Sequence, residues 1–545
     1  MIDFSAVSLV PLVVLLPLIG AAVALILPRH PRAQQLITSG VLIAVVALGG
    51  IMMVIVDQHG TLVMEVGGWA APFGIALVVD RLSALMVLVS AVVLLGVLLF
   101  SIGQGLADDD DETPVSIYYP TYLVLGAGVF NAFIAGDLFN LYVGFEILLV
   151  ASYVLITLGG TGPRIRAGVT YVVVSLVSSI LFLASIGLIY GATGTVNMAQ
   201  LSLRIAELNP DIQLMLNLTL LVAFGIKAAI FPLAFWLPDS YPTAPAPVTA
   251  VFAGLLTKVG VYAIIRSQTL LFPESSVDKF LMVIAALTLI VGILGAVAQL
   301  DIKRLLSFTL ISHIGYMIFG IAMGTELGFS ATIFYIAHHI IVQTTLFLAV
   351  GLIERHGGST SLASLGGILK AAPIIAVLFF IPMLNLGGIP PFSGFIGKLG
   401  LFEAAADLAS PGAYWLMGIG ALVSLLTLYA LARAWTLAFW RRKEEIAEPE
   451  GQLWQTLQDA PDAEPLRERK EIPRSMFVAT GGMVTVSLLL TFFAGPLYEY
   501  ATRAGETLEQ PARLVEQVLG SQPGPAGGSG DTGQDEAPER EGSAG

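Results

Sequence analysis

Four ionisable side chains stand near the middle of long apolar stretches. They are Glu146 in NLYVGFEILLVASYVL, Lys227 in LVAFGIKAAIFPLAFWLP, Lys258 in VFAGLLTKVGVYAII and Lys398 in PPFSGFIGKLGLF. His338 and His339 lie together in TIFYIAHHIIVQTTLFLAV. In a bilayer a central lysine costs on the order of 2.5–3.5 kcal/mol on insertion scales. Such residues usually face a protein interior or a wet cavity and mark ion or proton paths. Low dielectric favours a neutral amine, whereas a nearby carboxylate favours the ammonium, so a lysine can exchange its proton when a partner moves. Arginine stays charged and cannot. The plain alternative is structural, one Lys–Glu pair tying two helices together. It accounts poorly for three central lysines facing one obvious acid, Glu146. The two histidines are open to packing or backbone hydrogen bonding as well as to proton carriage, and their central position favours the latter.

Prolines sit close to these groups. Pro232 follows Lys227 by five residues, and GGIPP (Gly387 to Pro391, with Pro390 and Pro391) precedes Lys398. Proline removes a backbone donor and clashes with the preceding turn. In a membrane the freed carbonyls are tolerated only where protein or water satisfies them. A broken helix beside an ionisable group in both halves of a chain points to a transport site built from repeats, although no clear similarity between the halves is visible in the sequence. Other polar residues have plainer readings. Asp80 reads as an interfacial acid or a cap, and Asp137 as a helix cap. Asp239, Asp301, Lys303 and Arg304 read as interfacial, and Glu403 as a partner of Lys398 or a rim charge. No P-loop, HExxH, GxSxG or Rossmann pattern occurs in a suitable context. No catalytic residue, nucleotide-driven engine or hydrolytic site is therefore expected.

The elements that must position these groups are helices in a bilayer. The chain has 545 residues, 56% hydrophobic and only 12% charged, with a mean hydropathy of +0.85. A water-soluble protein carries roughly 25% charged residues, so the fold class is all-α and polytopic in a membrane. Cysteine is absent, which excludes disulfides, thiolate chemistry and cysteine-ligated clusters in this chain. Six histidines leave little room for a metal cage. No metal and no cofactor are expected. The formal net charge of −13 is concentrated in loops and the tail, with DDDDE at Asp108 to Glu112. These runs read as solvated surface, and nothing suggests nucleic-acid binding.

Fourteen transmembrane helices are expected, roughly at 6–27, 36–56, 80–103, 118–135, 139–158, 168–191, 213–236, 246–266, 279–300, 305–323, 328–352, 371–407, 413–439 and 476–499. The first charge is Asp3, not a basic cluster, so the first run reads as a membrane helix rather than a cleavable signal. The twelfth is long enough to be two half-helices. Residues 57–79 look extended and suit a short hairpin outside the bilayer. Helices one to three occupy 1–117, residues 441–475 form a loop, 476–499 the last helix, and 504–545 a disordered acidic tail. Basic residues after helices 1, 5, 9, 11 and 13 fall on one side, which the positive-inside rule makes cytoplasmic. Both termini are then extracytoplasmic.

The run FWLPDSYPTAPAPVTAVFAGLLTKVGVYAIIR (Phe235 to Arg266) closely resembles the D subunits of Mrp-type multisubunit sodium/proton antiporters. GDLFNLYVGFEILL, DIKRLLSFTLISHIGYM, HHIIVQTTLFL and GGIPPFSGFIGKLGLF are similar to the same group. The resemblance covers about residues 1–500, and the wider superfamily includes antiporter-like subunits of respiratory complex I and membrane hydrogenases. It implies two inverted five-helix repeats, at 118–266 and 279–440, with the seventh and twelfth helices broken, in agreement with Pro232, Pro390 and Pro391. It places the family's proton-relay residues on Glu146, Lys227, Lys258, His338, His339 and Lys398. Complex I relatives often carry a lysine where this chain has Gln343, a neutral amide that cannot relay by losing a proton, so water or the histidines would bridge there. The resemblance implies a cell-membrane hetero-oligomer with other Mrp subunits that exchanges Na+ and H+ by way of Glu, Lys, His and water. The alternative it leaves open is a proton-pumping subunit of an NADH:quinone oxidoreductase or a membrane hydrogenase. A non-transporting membrane scaffold is the third reading.

Overall fold

The computed structural model describes residues 4–105, 115–273, 277–442 and 471–520. The acidic run at Asp108, most of the loop after Trp440 and everything past 520 lie outside the described residues. Two apolar helices open the chain, the short α1 (Leu12–Ile26) and the longer α2 (Pro31–His59). The strands β1 (Leu62–Glu65) and β2 (Ala76–Val79) then pair antiparallel, from Leu62↔Val79 to Glu65↔Ala76. This is the hairpin expected within 57–79. Helices α3 (Arg81–Gly105), α4 (Val115–Ile134), α5 (Leu138–Thr157) and α6 (Gly162–Thr193) follow. After the short amphipathic α7 (Met198–Ala206) come α8 (Pro210–Ala228) and α9 (Ala246–Leu271). Next are α10 (Asp278–Ala298), α11 (Ile302–Met323) and α12 (Glu326–Gly357). The half-helices α13 (Pro373–Gly387) and α14 (Ser393–Leu408) precede α15 (Pro411–Trp440) and α16 (Arg474–Phe492).

Twelve described helices are long and apolar enough to cross a membrane, and α1 and α13 are apolar but shorter. Each of the fourteen expected positions coincides with an apolar helix, and the long spans number twelve. The chain is a multi-pass membrane protein.

Two stretches share local geometry that their sequences conceal. Asp137 accepts from Asn140 N and caps α5, and Asp301 accepts from Arg304 N and caps α11. Asp137 bridges Asn197 just past α6, and Asp301 bridges Ser361 just past α12, at the same spacing along the chain. Both α6 and α12 have 32 residues and end on a left-handed glycine, Gly194 and Gly358. A Cβ on Gly128 or on Gly292, which hold equivalent places before those aspartates, would run into the backbone at Leu148 or Ser312. Small residues let membrane helices approach this closely.

The centre is α12, whose side chains from Gly328 to Ile353 are all buried. A helix that is apolar all round belongs in a core rather than at a boundary. Helix α9 crosses α8 at Gly260, where a Cβ would lie 2.6 Å from Ala228 N.

Three expectations need correction. The helix expected to run to 236 ends at Ala228. The expected disordered tail is helical at its start, because α17 (Ala494–Glu509) and α18 (Pro511–Leu519) continue the chain. Their apolar faces bury Ala504, Leu508, Leu514, Val515 and Val518, and Arg503 Nη2 pairs with Asp57 Oδ2 at 2.8 Å. Averaging composition over 504–545 hid this helical periodicity. For Asp80 the cap holds and the interfacial reading does not: it accepts from Ser83 N at 2.9 Å, but it is buried and pairs with Arg266 Nη2 at 2.6 Å.

The α8–α9 crossing yields a stability prediction. Gly260→Val forces the two backbones apart and should cost about 1–3 kcal/mol, as overpacking does. The thermal midpoint of the purified assembly should fall. Gly40→Val, where a Cβ meets nothing within 4 Å, should leave it unchanged.

Candidate functional site

Lys227 lies in the last turn of α8, where the helix stops. Ala229 caps it with φ +59°, a left-handed conformation that costs a residue with a Cβ roughly 1–2 kcal/mol. The Phe231–Pro232 peptide bond is cis. The carbonyls freed by the stop find new donors, with Ile230 N on Gly225 O at 3.1 Å and Trp236 Nε1 on Ile226 O at 3.2 Å. Lys227 Nζ donates to Ser179 Oγ of α6 at 3.2 Å and stands 4.8 Å from the centre of the Phe145 ring. A small cavity opens here, lined by Phe145, Ser178, Lys227, Trp236, Tyr241 and Leu256 among others.

Glu146 is half-buried beside it on α5, and its Oε1 has no hydrogen-bond partner. Among the described residues Glu146 and Lys227 form no ion pair. The ammonium turns instead to a serine hydroxyl and an aromatic face, although Glu146 stays within electrostatic reach of it.

Lys258 is wholly buried on α9. A π-helical turn, Phe252–Leu256, precedes it, and Lys258 Nζ donates to Ala253 O of that turn at 2.6 Å. Such bulges leave a carbonyl out of the regular ladder and recur at functional sites. The Gly260 crossing sets this part of α9 against the end of α8.

The histidines come next, on α11 and α12. His338 and His339 are fully buried, as is His313 of α11, which the sequence reasoning did not single out. The rings of His313 and His339 are 5.1 Å apart, and those of Tyr335 and His338 are 5.5 Å apart. His313 Nδ1 and Tyr335 OH share a hydrogen bond at 2.7 Å, and His338 Nδ1 and Ser393 Oγ one at 2.9 Å. His313 Nε2, His338 Nε2 and both nitrogens of His339 are buried without a protein partner. Gln343 Nε2 is anchored to Leu306 O at 2.9 Å and its Oε1 is unpartnered.

Lys398 closes the row on α14. Its Nζ donates to Ser424 Oγ at 2.9 Å, Leu386 O at 3.2 Å and Gly387 O at 3.3 Å. Those carbonyls are the open end of α13, which stops at Gly388 (φ +79°) ahead of the cis Pro390–Pro391 bond. The end of a helix carries unsatisfied carbonyls and partial negative charge, so the break itself cradles the ammonium. The Tyr316 ring lies 5.2 Å away. Glu403 is exposed and makes no ion pair with Lys398, which leaves it a rim charge.

The structure thus lines up Lys258, His339, His313, His338 and Lys398 through the protein centre, with Lys227 and Glu146 at one end. His339 lies in the field of Lys258, His313, His338 and Lys398 together. No acid pairs with any of the three lysines among the described residues. Such a row can accept and release protons. Two features escaped the sequence reading. His313 sits in LISHIGYM, an apolar run like that of His338, and the same criterion would have found it. Arg266 stands at the end of an apolar run. It locks α9 to α3 through Asp80, and Tyr262 OH beside it donates to Phe133 O of α4 at 2.8 Å.

Residues 135–427 match the family model described as NADH:quinone oxidoreductase/Mrp antiporter, TM. The D subunit of the Na(+)/H(+) antiporter of Alkalihalophilus pseudofirmus is 37% identical over 515 residues, 94% of this chain and 99% of that protein. A chain in the structure of the Mrp complex from Dietzia sp. DQ12-45-1b superposes with a TM-score of 0.85 at 31% identity, covering 95% of this chain and all of that one. A chain of the membrane-bound sulfane sulfur reductase, an archaeal respiratory membrane complex, gives 0.82 at 27% identity, covering 94% of this chain and 99% of that one. With the match spanning both helix breaks and every buried lysine of the row, the chain belongs to the family of NADH:quinone oxidoreductase and Mrp antiporter membrane subunits.

Proposed function

We propose that this chain is the proton-translocating subunit of a multisubunit Na+/H+ antiporter of the Mrp type. It works in the plasma membrane beside the other Mrp subunits, moving protons without chemical conversion. The observation that carries the reading is the row of buried lysines held by carbonyls and hydroxyls rather than by acids. An ammonium locked to a carboxylate holds its proton, whereas one held by neutral oxygens can pass it on. Protons move between Lys227 and Lys258 near the α8–α9 crossing, then through His339, His313 and His338, to Lys398, which exchanges with one side. The gaps exceed hydrogen-bond length, so water bridges them at the unpartnered ring nitrogens and at Gln343 Oε1. Inward proton movement drives sodium outward. Fourteen crossings, two inverted five-helix repeats and extracytoplasmic termini complete the reading, supported by the basic loops and the repeated aspartate caps.

The likeness to the sulfane sulfur reductase chain favours a second reading, a proton pump driven by redox chemistry in other subunits. Everted vesicles carrying the complete operon separate the two. Sodium added to a preformed pH gradient should collapse it in the antiporter, and no sodium response with the complex assembled would favour the pump. Lys227→Ala, at matched complex abundance, should lower the sodium-dependent rate by about 100-fold or more, the low end for losing an acid–base group. Glu146→Gln should lower it by less than Lys227→Ala, because Glu146 acts on Lys227 through space and not through an ion pair. Equal losses in the two variants would contradict that geometry.

A further inference from the structure

We infer that Asn385, acting through Ser393, fixes which nitrogen of His338 carries the proton. The inference rests on the reading of His338 as a relay group. Asn385 lies in the last turn of α13 and Ser393 opens α14, so the two face each other across the break. Asn385 Oδ1 accepts from the backbone N–H of Gly394 at 2.9 Å, and its Nδ2 donates to Ser487 Oγ of α16 at 2.9 Å. A backbone N–H can only donate, so the amide is held with its oxygen toward α14 and cannot turn over. Ser393 is fixed in turn, since its own N–H donates to Thr491 Oγ1 at 3.1 Å.

Ser393 Oγ sits 3.2 Å from Asn385 Oδ1 and 2.9 Å from His338 Nδ1. The amide oxygen can only accept, so the hydroxyl's one hydrogen goes to Asn385. A lone pair of Ser393 then faces the ring, and His338 Nδ1 is the donor. Neutral His338 is therefore the Nδ1–H tautomer. Its Nε2 carries a bare lone pair, buried and without a protein partner, on the ring's other side. A partner at one ring nitrogen sets the proton at the other.

This dictates how protons use the ring. A proton arriving at Nε2 makes the imidazolium, and Nδ1–H keeps its bond to Ser393. It cannot leave by way of Ser393, because the displaced hydroxyl hydrogen would have to pass to a neutral amide oxygen. The proton that enters at Nε2 therefore leaves at Nε2. Asn385 and Ser393 are positioning residues: they hold the ring's tautomer without carrying protons themselves.

The test is nitrogen NMR of the assembled complex labelled with ring-15N histidine, at a pH where the ring is neutral. The His338 signals are assigned by their loss in His338→Gln. The expected result is a protonated Nδ1 and an unprotonated Nε2 in the wild type. Ser393→Ala and Asn385→Leu should move the proton to Nε2 or mix the two tautomers, and Ser393→Thr, which keeps the hydroxyl, should retain the wild-type pattern. A wild-type ring protonated at Nε2, or a Ser393→Ala spectrum identical to wild type, would overturn the assignment. Failure of the relay reading would show elsewhere, as a His338→Gln complex that transports normally while the wild-type tautomer stays as assigned.

Discussion

A charged amine inside a membrane needs oxygen atoms around it, and this protein supplies them by interrupting its helices. In a continuous helix most carbonyls already accept from the ladder, whereas a break frees carbonyls outright. Here the ladder is broken after Lys227, bulged before Lys258 and broken again ahead of Lys398. Lys258 and Lys398 take the carbonyls released at those places. At the first break Trp236 takes a freed carbonyl and Lys227 takes a serine of the neighbouring helix. The lysines are thereby stabilised by neutral dipoles, not by full opposite charges. That difference decides whether a buried amine is a structural tie or an exchangeable station. Breaking a buried ion pair is strongly unfavourable, by about 3–5 kcal/mol, and a proton relay cannot bear that at every step.

The surrounding packing exists to keep these interruptions in register. The fully buried α12 gives the histidines a rigid axis, and glycine crossings bring backbones close enough for side chains of different helices to meet. The Asp80–Arg266 pair is deeply buried and closely matched, and it ties α9 to α3 away from the row. The ion-paired Arg266 and the lysines held by neutral oxygens thus occupy separate places. The paired aspartate bridges beside α6 and α12 tie each helix end at an equivalent point.

Much of this was legible in the residues. Composition gave the membrane, and a lysine in an apolar run beside a proline gave Lys227 and Lys398 and predicted their broken helices. What the sequence withheld was partner choice. Nothing in the spacing of Glu146 and Lys227 says that the Phe145 ring and Ser179 would stand closest to the ammonium. The π turn ahead of Lys258 has no proline to announce it. Asn385 and Ser393 read as ordinary loop-flanking polar residues until the break folds them onto His338. The first part of the tail, through Leu519, carries an amphipathic helical period too short to show in its average composition. Pairings set by tertiary contact are invisible to local pattern, whereas the cost of a buried charge is visible at once.

In the proposed relay a lysine acts by releasing its proton, not by its charge. Lys258→Arg tests it most directly, since arginine keeps the charge and donors but does not deprotonate. The measurement is proton flux through the assembled complex reconstituted in liposomes, at matched abundance. Flux should be lost while the complex stays intact. Wild-type flux through the arginine variant would contradict it.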